Sequence, residues 1–129
     1  MKYQEEAVDW LRVRDEYSPE KGYSLWGDNG ISVNDIRQGE SGNCWFLAAA
    51  SALAEEPERL EEIFVNEDDE ATKGISHNGI YAFRMYALMM PITVIIDDRL
   101  PMKKEKEGKT MYAKVGRDMS VWSPLLEKA

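Results

Sequence analysis

The sequence predicts an α+β fold in which a buried central helix packs against a small antiparallel β-sheet. Three observations carry that expectation. Asn43–Ala54, reading Cys-Trp-Phe-Leu-Ala-Ala-Ala-Ser-Ala-Leu-Ala from Cys44, is apolar nearly all round and rich in alanine, the strongest helix former. Gly79–Leu88 and Ile92–Asp97 are dense in aromatic and β-branched residues and lie close enough to pair as a hairpin. The chain has 129 residues with 43% hydrophobic side chains, enough for one core and no more than one domain.

Taken in order, Glu5–Arg14 carries Ala7, Val8, Trp10 and Leu11 as an uneven apolar stripe, which predicts an N-terminal helix. Residues 1–25 therefore read as a helix and extension preceding the main unit at 26–129. Pro19–Asn34 is rich in Gly, Ser, Asn and Asp and reads as loop. Pro57 ends the central helix or opens a second one through Phe64, because proline is tolerated in a first turn and not in an interior. The turn of the hairpin falls on Met89-Met90-Pro91, and Thr110–Val115 suits a third strand. Ser123-Pro124 reads as a helix start, with Ser as N-cap and Pro at the first helical position. That helix has barely begun at Ala129, and so short a helix does not hold itself in water.

Composition removes several function classes. Sixteen basic against 24 acidic residues leave a formal charge of -8, the wrong sign for nucleic acid or an anionic membrane surface. No apolar run approaches the roughly 20 residues of a transmembrane helix. The charged N-terminus, Met-Lys-Tyr-Gln-Glu-Glu, lacks the apolar core of a signal peptide, which predicts a cytoplasmic protein. Nine carboxylates between Glu55 and Glu70, and seven bases between Arg99 and Arg117, read as solvated faces. Cys44 is the one cysteine and His77 the one histidine, so a disulfide framework and a multi-thiolate zinc site are both excluded.

The chemistry concentrates in Gln38-Gly39-Glu40-Ser41-Gly42-Asn43-Cys44-Trp45. A cysteine in the first turn of a helix sits where unpaired backbone N–H groups and the macrodipole favour an anion, and the thiolate is the nucleophile. Gly39 and Gly42 leave room for a substrate chain. Gln38, with the Cys44 backbone N–H, suits an oxyanion formed when sulfur attacks a carbonyl. The competing reading is a small apolar cysteine that only fills a core. On chemistry alone the two stand level.

These residues resemble a family. Gln-Gly-x-x-Gly-x-Cys-Trp-Phe-Leu-Ala-Ala is similar to the nucleophile motif of the calpains, the papain-like intracellular cysteine proteases. Asp35-Ile36 before the Gln, Val94-Ile95-Ile96-Asp97-Asp98-Arg99-Leu100-Pro101, and Trp122-Ser123-Pro124-Leu125-Leu126-Glu127-Lys128-Ala129 resemble further calpain segments in the same order. The resemblance implies the first (N-terminal) half-domain of a calpain-type, papain-like protease core. Cys44 is then the nucleophile and Gln38 the oxyanion residue, with Gly42 and Trp45 beside the substrate. Protein substrates follow, as does a second protease subdomain supplying the histidine and asparagine, in the same longer polypeptide or another chain. Without that half the resemblance implies negligible turnover, and the rival reading is a calpain-like module that binds without cutting. A transglutaminase-like acyltransferase is a more distant rival, sharing little beyond the Cys-Trp pair. His77, in a Ser-His-Asn-Gly turn, matches no catalytic position and reads as a surface residue.

The family pattern is not followed throughout. Asn43 replaces an aspartate before the nucleophile, and the hairpin lacks its usual Gly and Trp. The resemblance also implies a Ca²⁺ site with backbone carbonyls at about Asp28 and Gly30 and the Asp35 carboxylate. A fourth ligand, normally glutamate, falls on Ser120, a loss that weakens a site built from oxygens. Asp118 lies two residues out of register for that role. Asp35 has the alternative of being a turn or capping residue.

Overall fold

The computed structural model describes residues 8–37, 44–65, 73–103 and 114–129. It is an α+β fold of short helices and two antiparallel two-stranded sheets. Strand β1 (Val8–Arg12) leads directly into helix α1 (Val13–Glu16), and helix α2 (Cys44–Ala54) is followed by α3 (Pro57–Glu61). Strands β2 (Ile80–Ala87), β3 (Met90–Asp97) and β4 (Arg99–Lys103) come next, and α4 (Trp122–Lys128) ends the described chain.

The N-terminal segment departs from expectation. Val8–Arg12 is a strand, not part of a helix, because it pairs antiparallel along its whole length with β4, from Val8 opposite Lys103 to Arg12 opposite Arg99. Its local stripe suits a helix, but a partner about ninety residues away supplies ladder bonds that the local pattern does not reveal. The described part of residues 1–25 is thus knitted into the main unit, and Ser24 adds a parallel bridge to Ser120.

The hairpin forms as the pattern predicts, with Tyr81 opposite Ile96, Phe83 opposite Val94 and Met85 opposite Ile92. Tyr81 and Phe83 are fully buried and their neighbours Ile80, Arg84 and Tyr86 are exposed, the alternation of a strand with one wet face. The turn is Leu88-Met89, two residues earlier than Pro91, and both residues have positive φ (50° and 65°). This is the twist that a two-residue hairpin loop demands, met here by side chains that adopt it at a cost. Pro91 sits within β3 opposite Tyr86, next to the closing Ala87–Met90 pair. That is a non-hydrogen-bonded position in the ladder, so its missing N–H removes no bond. The far edge of β2 is occupied by the chain leaving α3: Arg84 N donates to the Ile63 carbonyl (2.7 Å) and Val65 N to the Ala82 carbonyl (2.9 Å).

Two further expectations shift. Helix α4 begins at Trp122 with Val121 as N-cap, so Ser123 and Pro124 lie inside its first turn. The hydroxyl of Ser123 caps nothing, and Pro124 is tolerated because N–H groups there have no helical partner anyway. Residues 110–113 of the proposed third strand lie outside the described residues; Lys114 forms an isolated bridge with Arg37.

The core gathers Val13, Leu25, Ala50, Leu60, Phe64, Tyr81, Phe83, Leu100, Trp122 and Leu125, drawing on every helix and on strands β2 and β4. The ring of Phe64 stands edge-on between Trp26 (4.7 Å) and Phe83 (4.6 Å), joining the loop, the α3 exit and the hairpin.

Candidate active site and candidate cation site

Among the described residues helix α2 is held by one face only. Leu47, Ala50 and Ala54, spaced three and four apart, are buried, whereas Cys44, Trp45, Ala48, Ala49 and Ala52 are exposed. The expectation of a helix buried all round is corrected in that respect: small alanines let the inner face approach its neighbours closely, and the outer face is uncovered among the described residues. Cys44 is the first residue of the helix, exposed and not in a disulfide. Trp45 is 72% exposed and meets Phe46 edge-to-face at 5.9 Å. Gln38 and Gly42 lie outside the described residues. A cleft of about 530 Å³ runs between α2, α3 and β2, lined by Phe46, Leu53, Ile63, Met85 and Tyr86 among others, on a different flank from Cys44.

His77 is exposed in the turn before β2, where its carbonyl accepts from the Arg14 guanidinium (3.1 Å). Its position agrees with that of a surface turn residue.

Just upstream of the Gln38 segment, Ser32 and Asp35 cap the short 3-10 turn Val33–Asp35 reciprocally. Ser32 Oγ accepts from Asn34 N (3.2 Å), and Asp35 Oδ2 accepts from Ser32 N (2.8 Å). The same Oδ2 accepts from the indole Nε1 of Trp122 (3.2 Å). One carboxylate, 3% exposed, therefore joins the loop entering the nucleophile segment to the start of α4. The capping role foreseen for Asp35 is present. Burial pushes its pKa up from 3.8 to about 6; the Ser32 and Trp122 donors oppose the rise, and the adjoining negative charge of Asp118 adds to it.

Asp118 is the residue that register did not recommend. The chain turns tightly from Gly116 to Ser120, with Met119 in the left-handed region (φ 67°), Met119 N donating to the Gly116 carbonyl and Gly116 N to the Ser120 carbonyl. This turn delivers the Asp118 carboxylate beside Asp35. Gly27 and Gly116 leave the space it occupies: a Cβ on Gly27 would collide with Asp118 Oδ2, and one on Gly116 would lie 2.9 Å from Oδ1. Asp28 N donates to the Asp118 carbonyl (3.3 Å), tying the loop that holds Asp28 and Gly30 to the same turn. Asp28 and Gly30 themselves are exposed.

The donor set is one of oxygens only: two carboxylates, the Ser120 hydroxyl and loop carbonyls. That chemistry fits a hard cation such as calcium, though with few charges. Among the described residues Asp118 Oδ2 and Ser120 Oγ are buried without a hydrogen-bond partner, which leaves acceptor capacity unused. No cluster of three or more His, Cys, Asp or Glu side chains suited to a metal occurs among the described residues.

Comparison with known proteins decides the family. A model of the calpain family of cysteine proteases matches residues 1–129, the whole chain. The chain belongs to the calpain family. It is 39% identical over 102 residues to Calpain-5 of Caenorhabditis elegans, covering 78% of this chain and 15% of that protein. It is 34% identical over 123 residues to Calpain-12 of Homo sapiens, covering 95% of this chain and 16% of that protein. Rattus norvegicus Calpain-13 is 40% identical over 95 residues, 74% of this chain and 13% of its own length. The chain thus spans about a sixth of the length of the first two calpains. No helix among the described residues is long and apolar enough to cross a membrane.

Proposed function

We propose that this chain is the nucleophile-bearing subdomain of a calpain-type cysteine endopeptidase, with residues 26–129 as the subdomain and the preceding strand as its brace. The observation that carries the reading is Cys44 itself: an exposed thiol opening an eleven-residue helix whose opposite face is anchored in the core. A helix fixed on one side and open on the other presents its first residue to a substrate with little freedom to retreat.

In this reading the Cys44 thiol gives its proton to a histidine of a second subdomain as its sulfur attacks the carbonyl carbon of a peptide bond, and Gln38 with the Cys44 N–H holds the oxyanion. The C–N bond then breaks, and the leaving amine takes a proton from that histidine outside these 129 residues, oriented by an asparagine of the same second subdomain. Water hydrolyses the resulting thioester and restores the thiol. Gly42 and Trp45 flank the substrate chain. The exposed turn position of His77 supports its having no part in this chemistry. Protein substrates are the class proposed, and the net charge of -8 supports the absence of nucleic acid from the reaction. A single exposed cysteine suits the reducing cytoplasm. We assign calcium, as regulator, to Asp35 with backbone carbonyls at Asp28 and Gly30; it would supply charge that locks the loop against α4.

The test is peptide cleavage by the polypeptide that joins this chain to a His- and Asn-bearing subdomain. Cys44→Ser should abolish cleavage, and Gln38→Ala should lower kcat by about 10²–10³ with KM little changed. Cleavage surviving Cys44→Ser would refute the assignment. No cleavage by the unaltered polypeptide would favour a binding module instead.

A further inference from the structure

We propose that this chain pairs with a second copy of itself about a two-fold axis, the tip of each hairpin entering the cleft between α2, α3 and β2 of the other. The pairing is separate from the peptidase reading, because that cleft lies on a different flank from Cys44.

The tip is an apolar knob. Leu88 is 98% exposed, Met89 96% and Met90 67%, and Tyr86 beside them is exposed as well. From Tyr86 through Ile96 no side chain is charged, in a chain of which 31% is charged. Leu88 and Met89 also hold positive φ (50° and 65°), where glycine or asparagine avoids the steric cost. Two large apolar side chains kept in a strained turn and directed into solvent gain nothing from the packing of one copy.

The hole lies next to the knob. The cleft of about 530 Å³ is lined by Phe46, Leu53, Ile63, Met85 and Tyr86 among others, and it is open among the described residues. A cleft of that size takes a drug-sized ligand, so it accommodates more than one leucine or methionine side chain. Met85 and Tyr86 belong to its wall, and Leu88 follows in the turn of the same hairpin. Knob and hole side by side are what an isologous pair requires, since each contact is then made twice. The composition suits a protein partner, because interface cores are rich in aromatic residues, methionine and arginine and poor in lysine and glutamate.

The rim supplies a reciprocal charge pair. Arg84 on β2 and Glu62 after α3 both line the cleft and are exposed, and neither side chain pairs with another described residue. The third charge of the lining, Arg59, is taken by Glu56 at 3.2 Å. Across the two-fold, Arg84 of each copy meets Glu62 of the other. Each buried leucine or methionine removes roughly 100 Å² of apolar surface, so three tip residues per copy and the walls they cover bury about 1,200 Å² in all. That is the lower edge of a specific interface, and a Kd on the order of 10⁻⁵ M is expected.

The experiment is sedimentation equilibrium of this chain as Cys44→Ser, so that no disulfide links two copies, over roughly 1 µM to 1 mM around that Kd. A saturable monomer–dimer equilibrium is the expected result. Leu88→Asn with Met89→Gly removes the knob while easing the turn, and should weaken pairing at least about tenfold with an unchanged far-UV circular dichroism spectrum. Arg84→Glu should weaken pairing by about tenfold, since the two-fold counts the change twice, and Arg84→Glu with Glu62→Arg should restore it. A chain still monomeric at about 1 mM, roughly a hundredfold above that Kd, overturns the proposal. So does a dimer indifferent to the tip variant, or a charge exchange that does not restore pairing. A monomer that sediments with phosphatidylcholine vesicles through Leu88 and Met89 overturns it too, and gives the tip to a lipid surface instead.

Discussion

Replacing Asp98 by asparagine should cost this fold more than its position in a surface bend suggests. Its side chain is 1% exposed, and Oδ1 pairs with the Arg12 guanidinium at 2.7 Å. Oδ2 accepts from Arg14 N at 3.2 Å, and its backbone joins Val13 N on one side and the Gly79 carbonyl on the other. One residue therefore fastens the β1–α1 junction to both ends of the hairpin. Losing one member of a fully buried pair costs about 3–5 kcal/mol. Arg12 remains 29% exposed, so water shields the guanidinium once its partner is neutral, and about 2–3 kcal/mol is the expected loss. With a urea slope of about 2 kcal/mol per molar, the midpoint of unfolding should fall by about 1–1.5 M. Gly79→Ala should act through the same contact, because a Cβ there would lie 2.7 Å from Asp98 Oδ1 in a backbone with φ of 68°. A double-mutant cycle between Arg12→Met and Asp98→Asn reads the coupling directly. A loss under about 0.5 kcal/mol for Asp98→Asn, within the scatter of ordinary surface substitutions, would refute the clamp.

Two other outcomes follow from the backbone and from burial. Leu88→Asn with Met89→Gly supplies the residues that a left-handed hairpin turn prefers, and should raise thermal stability by about 1 kcal/mol without altering the rest of the fold; an unchanged or lowered midpoint would count against the turn geometry. Burial raises the Tyr81 hydroxyl from 10.0 to about 12, helped by the charge of Asp98 and opposed by the Ser76 amide that donates to it. Tyr17 moves to about 12 for the same first reason. A folded pKa above the unfolded one means stability that is present below pH 10 and lost as pH rises towards 12. Tyr81 alone accounts for about 2–3 kcal/mol of that loss. Tyr81→Phe should flatten part of the alkaline limb in pH-dependent denaturation; an alkaline limb of unchanged depth would contradict the assignment.

Local pattern sufficed where neighbours in sequence are neighbours in space. The hairpin is legible from the aromatic and β-branched density of Gly79–Leu88 and Ile92–Asp97 and the short gap between them, and α2 from its alanines. Pairing of Val8–Arg12 with Arg99–Lys103 is not, since the strand's partner lies at the other end of the chain. The turn at Leu88-Met89 is hidden in the sequence because leucine and methionine give no sign of positive φ, while Pro91 does read as a turn residue. Apolar composition suggested burial of all of α2, but composition does not say whether every face finds a partner within one stretch of chain. At the site, Cys44 stood out through its motif, and the family match supports that reading of its surroundings. Gln38 and Gly42 fall outside the described residues. Asp118 escaped because its approach to Asp35 depends on a turn with Met119 at φ 67°, which no spacing rule encodes.

The central claim is that Cys44 is a peptide-directed nucleophile. Its most direct test is mass mapping after exposing the polypeptide with its His- and Asn-bearing subdomain to a peptidyl vinyl sulfone. The account predicts one adduct, on Cys44, formed much faster than with a vinyl sulfone lacking the peptide, and lost on Gln38→Ala more than on His77→Ala. Equal rates for the two reagents, or an adduct whose formation depends on His77, would contradict it.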